Sequence, residues 1–100
     1  MPRQARNSIF VDYSGTIAAG GVAQTQVAAD PQRASLLFEN LAATNLYINF
    51  GAAAAAANGS YKIEPNGSIE LADLSMFCPT SYVSVFGAVG GEAFTLKTAS

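Results

Sequence analysis

Serine and threonine hydroxyls are plentiful in this chain, but the general base that usually activates them is missing. The sequence has 100 residues and no histidine, and a hydroxyl without an adjacent base is a weak nucleophile at neutral pH. The lone cysteine, Cys78, lies among Met76, Phe77 and Pro79 with no neighbouring cation to stabilise a thiolate. It reads as a small buried hydrophobe. A single cysteine also excludes an internal disulfide framework and the paired Cys/His spacing of a zinc site. Glu64, Glu70 and Asp73 fall close together, and two carboxylates are the minimum for acid–base cleavage of a glycoside. That chemistry needs a cleft that raises one pKa, so solvated turn and edge charges are the expected role. No Asp-x-Asp-x-Asp series offers a calcium loop. Gly87-Ala88-Val89-Gly90-Gly91 lacks the Lys-Ser/Thr of a phosphate loop and reads as a turn. No catalytic residue, metal or cofactor is expected, and the chain reads as non-enzymatic.

The charge balance narrows the partners. Five Lys+Arg against seven Asp+Glu give a net charge of -2, where a nucleic-acid binder needs surplus cations to displace phosphate counterions. Only Lys62 stands beside a tyrosine, Tyr61, too little for a base-stacking platform. The small-residue run at 51–57 is too short to span a bilayer. Neither nucleic acid nor membrane is an expected partner.

The elements that would position any site are strands. Leu46-Tyr47-Ile48-Asn49-Phe50 alternates cleanly, with Leu46, Ile48 and Phe50 on one face. Residues 33–40 put Leu36 and Phe38 together, 82–86 pair Val83 with Val85, and 94–97 pair Phe94 with Leu96. Further strands are expected over 16–19 and 22–28, with a turn at Asp30-Pro31 and a connector over 40–45. Pro65-Asn66-Gly67 between 61–64 and 68–71 predicts a hairpin with Gly67 in the left-handed region. The six alanines at 52–57 are too few for a stable helix and read as a loop holding at most one helical turn. Even strand spacing with Gly, Pro and Asn turns predicts an all-β domain, an antiparallel β-sandwich or small jelly roll, over residues 14–100. The expected core is Leu36, Phe38, Leu46, Ile48, Phe50, Ile63, Ile69, Val83, Val85, Phe94 and Leu96.

Residues 1–13 read as an extended N-terminal arm. Arg3 and Arg6 are its only cations, and Ile9, Phe10 and Val11 form an apolar cluster. Either this segment is the first strand of the sheet or it is a partner-binding arm, because an exposed apolar patch marks a contact surface. The second reading makes Arg3, Arg6, Ile9, Phe10 and Val11 the candidate partner-binding residues.

Several segments resemble a family of short proteins from the structural gene blocks of tailed bacteriophages. They are Arg33-Ala34-Ser35-Leu36-Leu37-Phe38-Glu39-Asn40, Asn45-Leu46-Tyr47-Ile48-Asn49-Phe50-Gly51, Asn66-Gly67-Ser68-Ile69-Glu70-Leu71, Val83-Ser84-Val85-Phe86-Gly87 and Phe94-Thr95-Leu96-Lys97. The resemblance covers about two thirds of the chain, from residue 33 onward. It implies a virion structural component, a decoration or cement protein bound outside the major capsid protein after assembly in the bacterial host cytoplasm. It further implies partnership with the major capsid protein and with itself, as a dimer or trimer on capsid symmetry axes. No site residue carries over, since the shared positions are strands and turns. Two other readings stand beside it: a tail or head-fibre module of the same virion, and a carbohydrate-binding sandwich using Tyr47, Tyr61 and Tyr82.

Overall fold

The computed structural model describes residues 10–72 and 78–100. Among the described residues nine strands follow one another: β1 (Phe10–Asp12), β2 (Gly15–Thr16), β3 (Gln24–Val27), β4 (Ser35–Asn40), β5 (Leu46–Phe50), β6 (Tyr61–Ile63), β7 (Ser68–Ala72), β8 (Val83–Gly87) and β9 (Ala93–Ala99). All pairings are antiparallel. Sheet A has the order β1-β9-β4-β7, with β2 also on β9, and sheet B has the order β3-β8-β5-β6. If β1 and β2 are taken as one interrupted strand, the eight resulting strands pair first with last, second with seventh, third with sixth and fourth with fifth. That is the order of a jelly roll. The fold is the all-β sandwich the spacing predicts.

The core lies between the sheets, and period-2 alternation fills it. Leu36, Phe38, Leu46, Ile48, Ile63, Val83, Val85, Phe94 and Leu96 are buried there, while Phe50 and Ile69 pack against them half-buried. Phe38 and Phe94 stack across the β4–β9 ladder with ring centroids 5.4 Å apart. Ile17, Val27, Leu71 and Cys78 are also buried. Ile17 follows β2 and lies over Gly87, where an added Cβ would come within 2.9 Å of both Ile17 and Leu46. Gly87 therefore ends β8 as a buried ladder residue paired with Leu46, and the turn begins after it.

The expected hairpin at Pro65-Asn66-Gly67 is a corner instead. β6 pairs with β5 in sheet B, and β7 pairs with β4 in sheet A, so the turn carries the chain from one sheet to the other. Gly67 N–H donates to Glu64 O at 2.8 Å, with Pro65 and Asn66 as the central residues. A type II turn needs positive φ at its second central position, and Asn66 supplies it at φ 65. Gly67 is not left-handed. It is small because an added Cβ would meet Glu64 O at 2.9 Å. Turns of this hand splay their flanking strands where a primed turn would pair them.

The 52–57 loop holds no helical turn. It folds back over the outer face of sheet B, where Ala54 is buried and its N–H donates to Ser84 Oγ at 2.9 Å.

Candidate interaction surface

Two buried polar side chains, one at each end of β4, close the ends of the sandwich. Asn40 is fully buried. Its Nδ2 donates to Thr44 O and Ile63 O, each at 2.8 Å, and its Oδ1 accepts from Ala42 N–H at 2.7 Å. Two carbonyls on one side and an N–H on the other fix the amide's orientation. The 41–45 connector and the β6–β7 corner, both sheet crossings, are thereby tied to one residue. At the opposite end Arg33 is buried, and its guanidinium donates to Pro79 O, Ser81 O and Ala28 O at 2.8–2.9 Å. It ties the segment before β8 to the segment after β3. Neither residue stands out in the sequence, where an Asn at a strand end and an Arg after a turn look like surface positions.

The side of the sandwich between β2 and β3 is closed by glutamine amides. Gln26 Nε2 donates to Tyr13 O at 2.8 Å, Gln24 Nε2 donates to Thr16 O at 3.1 Å, and Ala18 N–H donates to Gln24 Oε1 at 2.8 Å. A bulge makes this reach possible. Thr25 pairs with Ser84 and Val27 with Val83, so Gln26 is the extra residue. A matching irregularity lies at Tyr13-Ser14. There Leu96 N–H donates to Ser14 Oγ, leaving Tyr13 O for Gln26.

β1 is one edge of sheet A, with β7 at the other. Phe10–Asp12, placed in the arm by the sequence, pair there with Ala99, Thr98 and Lys97 of β9. The first-strand reading therefore holds from residue 10, because the β9 edge offers backbone partners to whatever segment precedes β2. Phe10 is 75% exposed and Val11 37%. Arg3, Arg6 and Ile9 lie outside the described residues. Phe10 forms one wall of a groove of about 170 Å³ on the outer face of sheet A, with Leu37 at its floor and Glu70 and Lys97 around it. Register aligns Asp12, Lys97, Leu37 and Glu70 in one row across the four strands. Asp12 accepts Ser14 N–H at 2.9 Å. Hydrogen bonds from Ser14, first from its hydroxyl and then from its backbone, hold the Asp12 carboxyl below its ordinary value of 3.8, with a smaller contribution from Lys97.

The remaining candidates are dispersed. Glu64 is exposed at the corner and Glu70 on the outer face of β7, and Asp73 lies outside the described residues. Cys78 is buried in the core, its thiol 3.8 Å from Pro79 O. The tyrosines form no common platform. Tyr47 packs edge-on against Phe86 on the outer face of sheet B, while Tyr61 shares the inward side of β6 with Ile63 and leans on Phe50. Among the described residues no group of three or more His, Cys, Asp or Glu is gathered that could hold a metal ion, and no helix is long and apolar enough to cross a membrane. Compared with known proteins, the chain matches no family model, no curated protein and no solved structure.

Proposed function

We propose that the chain is a non-enzymatic virion structural protein, a decoration or cement subunit attached to the outside of a tailed-phage capsid through the β1 side of sheet A. The observation that carries this reading is the 75% exposure of Phe10 beside an apolar groove, on an edge whose continuation is capped. A large aromatic left open in this way marks a contact surface. The jelly-roll order and the segmental resemblance to phage structural proteins support the choice of a shell as the partner. Individually weak contacts of this kind gain strength when repeated over a symmetric lattice.

The test is reconstitution. Purified protein is mixed with mature capsids stripped of it, and bound copies are counted after sedimentation. Hundreds of copies per particle, with raised heat resistance, are the expected result. Phe10→Asp should leave the fold intact and lower occupancy, and deleting residues 2–9 should also weaken attachment. A handful of copies confined to the tail would make it a tail module. Full occupancy by Phe10→Asp would move the contact to another face.

A further inference from the structure

The edge of sheet A is guarded along one stretch and open along the next. Between Tyr13 and Ala18, Gln26 takes Tyr13 O, Gln24 takes Thr16 O and Ala18 N–H, and Asp12 takes Ser14 N–H. Among the described residues no hydrogen bond reaches the outward backbone of β1. Ladder alternation says which groups these are. Tyr13 N–H donates inward to Leu96 O at 2.7 Å, so Val11 also faces β9, while Phe10 and Asp12 turn their N–H and C=O groups away from the sheet.

We propose that a second copy of this chain pairs its β1 antiparallel with the first, about a twofold axis at Val11. In that register Phe10 of each copy exchanges N–H and C=O with Asp12 of the other. The four hydrogen bonds use every outward group of both strands, and the two Val11 residues meet as a non-hydrogen-bonded pair. A register centred on Phe10 or on Asp12 employs only one residue of β1 per copy. The occupant is a second copy because the exposed set is self-complementary under a twofold, the symmetry in which identical patches meet. Three residues of pairing alone fall far short of the roughly 800 Å² per partner of a stable interface. Pairing is therefore weak in dilute solution and fills in where copies are held side by side. It fuses two A sheets into one and sets two Phe10 grooves on a single face. Only that last consequence rests on the attachment reading.

Disulfide trapping in the purified protein tests the pairing without any capsid. A non-hydrogen-bonded pair sets its Cα atoms about 4.5 Å apart, within the range a disulfide bridges. Val11→Cys under mild oxidation is compared with Thr25→Cys, which lies on exposed β3 positions of sheet B. Cross-linking of Val11→Cys at least about tenfold faster than the control is expected, through the raised effective concentration. Adding Asp12→Pro removes one outward N–H, spares the bonds to β9, and should return the rate to the control. Equal rates for the two single variants, both folded by circular dichroism, overturn the pairing. Faster cross-linking of Phe10→Cys than of Val11→Cys overturns the register. Should Val11→Cys not fold, sedimentation equilibrium of the unaltered protein against Asp12→Pro decides. Self-association lost in the variant supports the pairing, and no association in either overturns it. Capsid binding enters none of these readouts, so the attachment reading fails or stands separately.

Discussion

Asn40→Ala is the sharpest test of how the two sheets are held in register. Truncation removes both donors and the acceptor of a fully buried amide. Ile63 O lies in the interior and loses its partner outright, which costs about 1–3 kcal/mol. Thr44 O and Ala42 N–H are nearer the surface and regain water in part, adding about 0.5–1.5 kcal/mol between them. The emptied amide volume contributes about 1 kcal/mol more. The sum is about 2.5–5.5 kcal/mol, a large part of the about 5–15 kcal/mol that holds a typical domain. In urea, with a slope of about 2 kcal/mol per molar, the unfolding midpoint should fall by about 1.2–2.8 M. Asn40→Asp adds a control on orientation. It keeps the acceptor for Ala42 N–H but turns an oxygen toward two carbonyls, so it should be no more stable than the alanine variant at neutral pH. Burial and those carbonyls favour its protonated form, so its folded pKa is raised and its stability should recover as the pH falls. A loss below about 1 kcal/mol for Asn40→Ala, beneath the cost of one orphaned buried carbonyl, would refute the reasoning.

At the other end of β4, Arg33→Met leaves three carbonyls without their donor and should destabilise by about 2–4 kcal/mol, while Arg33→Lys, lacking the planar fork, should recover less than half by the same urea measurement. At the corner, Asn66→Ala keeps φ 65 without the short polar side chain that lets asparagine adopt it, and should cost about 1 kcal/mol, whereas Asn66→Gly should cost nothing. Gly67→Ala should destabilise through its clash with Glu64 O, by about 1–3 kcal/mol in thermal melts, and an unchanged melting temperature would remove the corner assignment. For Asp12 the folded pKa lies below the unfolded one, so its contribution is complete above the unfolded value and is lost as pH falls through the folded value. Melts of Asp12→Asn should accordingly converge with those of the unaltered protein as the pH falls below the ordinary carboxylate value and through the lowered folded one.

Alternation and turn chemistry made the strands legible. β5 has the bounds its alternation gives, and Leu36, Phe38, Val83, Val85, Phe94 and Leu96 point inward as their spacing requires. The hairpin was misread because Pro65-Asn66-Gly67 specifies a reversal, and a reversal serves equally to pair two strands or to pass between sheets. Only the competing partners β5 and β4 decide which. Asn40, Arg33 and the two glutamines escaped because their roles depend on backbone groups brought close by the fold, up to 48 residues away in sequence, or on a bulge that local pattern does not encode. For example, Arg33 reaches Ser81 and Gln26 reaches Tyr13. The exposed Phe10 edge was legible as an apolar cluster, but not as a strand, since three residues carry too little period to tell.

The glutamine-closed side of the sandwich has a chemical consequence. Edges guarded by lysine or by ion pairs weaken when salt screens them or acid discharges them. Primary amides neither titrate nor attract counterions, so this closure keeps its strength in brine and in acid alike. Its weakness is hydrolysis. Loss of ammonia from Gln24 or Gln26 would leave a carboxylate facing Thr16 O or Tyr13 O, acceptor against acceptor, where a donor had been. Slow chemical ageing at two side chains would thus uncover the backbone of β2 and extend the unguarded edge from three residues toward the whole side of the sheet.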